Sequence, residues 1–194
     1  GAWFDYYFGI DRVNRILAAA DKITTANEAE QQTANRIKGE ALALRAFGHL
    51  QLLINYSNGY EPNALSVPYM TVSEIGKPSR LTVAEILAKI KADLAEAQTL
   101  IPANFSTRTR ITLSAVYAMQ ARASLYGKDW DDAINAATAA INAVPLASRS
   151  EFPQIWRDQT MAGVIWKQKR EAGQVRMGDA FWDRTQQRIM YGPS

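Results

Sequence analysis

The sequence predicts an all-α protein built of antiparallel helical hairpins, with a short irregular or β segment near the C-terminus. Three observations predict it. Apolar residues recur at helical spacing through most of residues 10–144. Helix start and stop signals bracket those stretches: Thr-x-x-Glu boxes at Thr25–Glu28 and Thr82–Glu85, and prolines at Pro102 and Pro145. Alanine is concentrated where helices would meet closely, most densely in "DWDDAINAATAAINAVP" (Asp129–Pro145).

Taken in order, residues 10–23 place Ile10, Val13, Ile16, Leu17 and Ala20 on one helical face. "TANE" at Thr25–Glu28 predicts the start of a second helix, which carries the i,i+4 pair Arg36 and Glu40 and runs to about Tyr56. From Leu42 to Ile54 it is apolar almost all round, the pattern of a helix buried on several sides. Residues 57–81 break the periodicity. Asn58-Gly59 and Glu61-Pro62 are turn signals, Pro68 and Pro78 exclude regular helix, and a loop of this length is often functional. A third helix starts at Thr82, keeps Val83, Ile86, Leu87, Ile90, Leu94, Ala97 and Ile101 on one face, and ends at Pro102. A polar linker, 103–111, leads to a helix from Thr112 to about Tyr126, followed by Gly127. Beyond about Ser148 the pattern weakens. "GVIWKQK" (Gly163–Lys169) reads as a short strand, and "GDAFWDR" (Gly178–Arg184) as a strand, turn or short helix.

The alanine stretch explains how the helices pair. Small residues at fixed spacing let two helices approach closely, and "YAMQARASLYGKDWDDAINAATAAINAVP" fits the tetratricopeptide pattern of paired helices closed by a proline. Ala121 takes the small position of the first helix, Asp129-Trp130 the turn, Ala133 and Ala140 the small positions of the second, and Pro145 the stop. Ala137 stands where an aromatic is usual. The spacing recurs upstream, since Ala97 precedes Pro102 as Ala140 precedes Pro145. Two hairpins follow, about 28–101 and 112–145, with an irregular tail over about 148–194. Ala133 and Ala140 are expected to be buried against the 112–126 helix.

Composition narrows the function classes. Of 194 residues just under half are apolar, and no run approaches the roughly 20 apolar residues of a membrane span. The net charge is +3, and acids and bases are interspersed, so there is no basic stripe for nucleic acid. Cysteine is absent, which removes disulfides, thiolate catalysis and cysteine metal sites. The single histidine, His49, lies on the buried helix and reads as a hydrogen-bonded packing residue rather than a base. Asp129, Asp131 and Asp132 suit a helix start, where they favour the positive dipole end. They cannot face each other across a cleft as glycosidase carboxylates do. No phosphate loop or metal-ligand spacing occurs, so no cofactor and no catalytic residue is assigned. The chain lacks an initiator Met and a cleavable signal pattern at Gly1, and reads as processed or trimmed.

An ordered set of motifs resembles the SusD/RagB family, surface nutrient-binding lipoproteins of Bacteroidetes. "GEALALRAFGHLQLLINY" (Gly39–Tyr56) is similar to the family's "GEA-x-x-LRA" helix. "VPYM" (Val67–Met70) resembles its "Y-G-x-(I/V)-P" segment, with "NYSNGYEP" replacing the compact Tyr-Gly. "SRLTVAEILAKIKADLAEAQTLIP" and "RITLSAVYAMQARASLYGKDWDDAINAATAAI" resemble the two helical motifs that follow, and "GIDRVNRIL" the one that precedes. The matches keep the family's order over about residues 3–166. The resemblance implies one tetratricopeptide-like helical domain over residues 1–194, as a fragment or reduced version of a larger member. It implies an outer-membrane, cell-surface lipoprotein whose lipid anchor is absent from this chain. It implies two partners: a TonB-dependent transporter of the SusC type, and an oligosaccharide or polysaccharide, or a peptide as in the RagB branch. It implies no enzymatic activity. The alternative is a tetratricopeptide-type protein-interaction module with no sugar site.

Sugar binding needs flat apolar faces for the rings and planar hydrogen-bonding groups for the hydroxyls. The densest such cluster is "AWFDYYFG" (Ala2–Gly9), read as preceding the first helix, with Trp3, Tyr6 and Tyr7 as candidate ligand-binding residues. The same rings can instead plug the core of the first hairpin. A second candidate is "NYSNGYEP", with Asn58 and Tyr60 at a loop tip, which can equally be an ordinary polar loop. Trp130 reads as a structural aromatic of the repeat turn. Trp156, Trp166 and Trp182 flank the weakly patterned end and are expected to face solvent.

Overall fold

The computed structural model describes residues 1–169 and two short strands, β1 (Trp182–Asp183) and β2 (Arg188–Ile189). The protein is all-α in its body. Its helices are α1 (Ala2–Ala20), α2 (Glu28–Tyr56), α3 (Val83–Leu100), α4 (Leu113–Gly127), α5 (Trp130–Ala143) and the short α6 (Phe152–Trp156). The strands pair antiparallel, Trp182 with Ile189 and Asp183 with Arg188.

Neighbours in sequence are neighbours in space. α1 packs on α2, α2 on α3, α3 on α4 and α4 on α5, so α2/α3 and α4/α5 each form a helical pair. α2 is the spine, with Leu42, Ala43, Ala46, Leu50, Leu52 and Leu53 buried around it. From α3 come Ile86, Ile90, Leu94 and Ala97, and from α4 Ala115, Val116 and Ala123. Each fully buried Leu or Ile stabilises the fold by about 1.5–3 kcal/mol relative to exposure. Two glycines allow the helices to close. A Cβ on Gly39 would lie 2.8 Å from Ile101 and 3.0 Å from Leu100, and one on Gly48 would lie 3.0 Å from Ile10. Glycine at these points lets α3 and α1 reach the α2 backbone.

Several helix boundaries differ from the sequence reading. The aromatic cluster Ala2–Gly9 does not precede the first helix; it is the first two turns of α1. α2 is capped by Asn27 rather than Thr25. The Asn27 side chain accepts from the Glu30 N–H at 3.0 Å, and Glu30 accepts from the Ala26 N–H at 2.9 Å. Thr25 instead donates to the Gln31 side chain. Asn is as strong an N-cap as Thr, and the later of two competing caps wins here. The Thr82–Glu85 box forms as the sequence predicts, with both reciprocal bonds. The left-handed residue after α4 is Lys128 (φ 61°), not Gly127, which closes the helix. Ala140 is buried, whereas Ala133 and Ala121 are only half-buried. Gly163–Lys169 is irregular rather than a strand. It is held piecemeal, by the Lys167 N–H on the Arg108 carbonyl and by Trp166 edge-on to Phe47 at 5.4 Å. Trp166 is therefore half-buried, against the expectation, while Trp156 faces solvent. Of the Gly178–Arg184 segment, the Trp182–Asp183 backbone is a strand; the rest of it and the Trp182 side chain lie outside the described residues.

The loop after α2 is an ordered strap that packs along α1, α2 and α3 at Tyr7, Asn14, His49 and Asp93. The Arg80 guanidinium ties its two ends, donating to the Ser66 and Leu65 carbonyls and to the Asn58 side chain. Backbone bonds Ser66 N–H to Leu81 and Leu81 N–H to Val67 zip the same ends.

Candidate functional site

The first turns of α1 carry rings on two sides. Trp3 and Tyr7, one turn apart, lie 4.9 Å centroid to centroid, and Trp3 meets Tyr56 edge-on at 5.0 Å. Phe4 and Phe8 stack at 5.8 Å further round, with the Arg12 guanidinium 4.1 Å above the Phe8 ring. The Tyr7 hydroxyl donates to the Pro68 carbonyl at 2.8 Å, joining α1 to the strap. Between α1 and the strap lies a cleft of about 420 Å³. Trp3, Phe4, Tyr7 and Asp11 form its α1 wall; Pro68, Met70, Val72, Glu74 and Pro78 face them. Trp3 is 42% exposed, so part of it stays open to solvent beside Tyr7 and Tyr56. The cleft thus combines open aromatic surface with two carboxylates, Asp11 and Glu74.

A buried polar network behind the cleft sets the strap's position. Arg45 of α2 grips Asp93 of α3 with two bonds of 2.7 Å, and donates to the Asn14 side-chain oxygen of α1 at 3.2 Å. The Asn14 amide turns its NH2 to the strap, donating to the Met70 carbonyl at 3.0 Å and to that of Val72 at 3.3 Å. Tyr69 donates to Asp93 and stacks on His49 at 3.8 Å. The His49 Nε2 accepts from the Met70 N–H at 3.0 Å, so Nδ1 carries the proton and donates to the Arg45 carbonyl at 2.9 Å. Every side chain here is satisfied, which a buried network needs to avoid a desolvation penalty. Burial pushes the His49 pKa down to about 4 and keeps the ring neutral. Burial likewise raises the Tyr7 hydroxyl, and burial followed by the Asp93 charge raises that of Tyr69. Burial works against the charge on Arg45, but the Asp93 carboxylate outweighs it and raises the guanidinium pKa.

The predicted site residues separate into two groups. Trp3 and Tyr7 line the cleft. Tyr6 does not; it is half-buried against the core. Tyr60 lines a different groove of about 260 Å³ with Tyr126 and Lys91, its hydroxyl donating to the Ile54 carbonyl at 2.9 Å. Asn58 accepts from Arg80 and holds the strap's base. The two clefts share no lining residue. Sequence reasoning missed Asn14, Met70 and Val72. A signal existed for Asn14, a polar residue inside the Ile10–Val13–Leu17 apolar face.

Paired helices with an aromatic cleft beside a polar-latched strap define a helical-repeat scaffold. Residues 1–125 match a SusD-like family described as starch-binding and associating with the outer membrane, and the chain belongs to that family. Solved structures agree. A candidate sugar-binding protein from Bacteroides vulgatus is 26% identical, with a TM-score of 0.77 over 85% of this chain and 40% of that one. A SusD-like carbohydrate-binding protein from the same organism is 31% identical, with a TM-score of 0.68 over 78% of this chain and 33% of its own. A SusD superfamily protein from Bacteroides thetaiotaomicron is 27% identical, with a TM-score of 0.69 over 79% and 35%. The chain therefore spans about a third to two-fifths of the length of these structures. No curated protein sequence matches it. Among the described residues no helix is long and apolar enough to cross a membrane.

Proposed function

We propose that this chain is the helical scaffold of a cell-surface glycan-binding lipoprotein. It captures oligosaccharide in the α1 cleft and works beside a TonB-dependent outer-membrane transporter in polysaccharide uptake, without catalysis. One observation carries the capture step: in a chain of a starch-binding family, a surface cleft presents Trp3, Phe4 and Tyr7 beside the carboxylates of Asp11 and Glu74. Ring faces stack on the C–H-rich sides of sugars, and carboxylates accept bonds from their hydroxyls. Tyr60 lines a lesser candidate groove, and Asn58, which does not line it, holds the strap's base. Isothermal titration of the parent and Trp3→Ala against starch, laminarin and xylan oligosaccharides tests the proposal. The parent should bind at least one, and Trp3→Ala should weaken it about tenfold or more. Equal affinities would remove Trp3 from the site.

A second reading, protein contact, has its own support. α5 exposes Trp130, Ile134 and Ile141 on one side. Such a stripe suits a protein partner better than a sugar, because two of its three side chains are aliphatic and only the Trp130 indole N–H can hydrogen-bond. Co-purification of transporter with the parent, but not with a Trp130→Glu/Ile134→Glu variant, would place the contact there.

A further inference from the structure

A second cleft of about 770 Å³ lies along α1 beyond the aromatic one. Val72 lines both. Trp3, Tyr7, Asp11, Asn14, Ala18 and Asp21 recur every three or four residues, so the two clefts occupy one face of one helix. The strap at Val72–Ser73 runs between them. Its attachment there is local. The Ser73 hydroxyl donates to Asp11, which lines the aromatic cleft, and accepts from the Arg15 Nε at 3.1 Å, which lines the second. Those three side chains, with the Asn14 amide on the Val72 carbonyl, pin the strap between the clefts.

The two compartments differ in chemistry. The second has no ring. It has the guanidinium groups of Arg15 and Arg45, the carboxylates of Asp21 and Glu96, the ammonium groups of Lys22 and Lys38, and the hydroxyls of Thr71 and Ser73. Lys38 bridges Asp21 at 3.1 Å and Glu96 at 3.4 Å, Arg15 pairs with Asp11 and Arg45 with Asp93, so three of the four cations that line the cleft are already paired and the surface suits hydroxyls more than a free anion. Ala18 and Ala19 line the second cleft, are exposed, and leave it open at that point.

We propose that the two clefts are consecutive subsites of one extended oligosaccharide site. Sugar residues stack in the aromatic cleft, the chain passes over Val72–Ser73, and further residues are hydrogen-bonded in the second cleft. From Trp3 to Ala20 the helix spans roughly 26 Å at 1.5 Å per residue, enough for several sugar units. The proposal rests on the glycan reading of the aromatic cleft and adds a chain-length preference.

The test compares maltose with maltoheptaose, and laminaribiose with laminariheptaose, by isothermal titration of the parent, Trp3→Ala and Ala18→Trp. Ala18→Trp fills the second cleft from an exposed position; Ala19→Trp does so from the next residue if the first variant folds poorly. The parent should bind a heptasaccharide at least tenfold tighter than its disaccharide. Ala18→Trp should lose that gain and leave the disaccharide affinity unchanged, while Trp3→Ala should weaken both. If the length gain survives Ala18→Trp and Ala19→Trp, or the parent shows none, the extended site is refuted while the aromatic cleft stands. If no oligosaccharide binds the parent, both are refuted.

Discussion

His49 shows how one residue couples the helical core to the strap. Its Nε2 must stay unprotonated to accept from Met70, and burial holds its pKa near 4 against an ordinary 6.5. In the unfolded chain His49 takes up a proton as pH falls below 6.5, whereas the folded chain resists until about 4. The unfolded state binds more protons in that window, so stability is lost as pH falls, by about 3 kcal/mol in total. His49 is the only histidine, so no other imidazole contributes. Urea unfolding at pH 7.0, 6.0 and 5.0 should show this loss in the parent and a flatter profile in His49→Gln, whatever the variant's stability at pH 7. A parent-like slope in the variant would assign it elsewhere. The packing role of His49 was legible from its place on the apolar helix. Its partners were not: Met70 lies 21 residues away, and the strap reaches α1 across separations of 56 and 61 residues.

At the scale of the elements, local signals were read well where one signal acted alone. The Thr82–Glu85 box and the Pro102 stop gave α3 within a residue or two. Where two signals competed, packing and capping strength decided, as at Asn27 over Thr25. The aromatic start of α1 was misread for a physical reason. Trp, Phe, Tyr and Gly are weak helix formers, and five aromatics in eight residues look like a loop. Tyr6 and Tyr7 pack on the core, and tertiary contact outweighs the propensity. The α5 alanines divide in the same way. Ala140 is 4% exposed under α4, while Ala133 is half-buried. Ala140→Leu should therefore cost about 1–3 kcal/mol through overpacking, and Ala133→Leu less, both measured by thermal unfolding. A larger cost at Ala133 would mean that α5 is rotated relative to α4.

Over the whole molecule the surface is divided by chemistry. The α1 side pairs rings with carboxylates and amides across two adjoining clefts. α5 and α6 show Trp130, Ile134, Ile141, Phe152 and Trp156 to solvent. The first arrangement fits a hydroxyl-rich ligand and the second a protein. The family was legible in the order of motifs, because each motif marks a helix contact the fold needs. The cleft was legible only by residue type, since its second wall comes from the strap. The most direct test uses the indole N–H signals of the five tryptophans in 15N-labelled protein, with Trp3 assigned through Trp3→Phe. On addition of an oligosaccharide that the protein binds, the Trp3 signal should shift, and those of Trp130 and Trp156 should stay in place. A Trp3 signal unmoved at saturating ligand would contradict glycan capture in the α1 cleft.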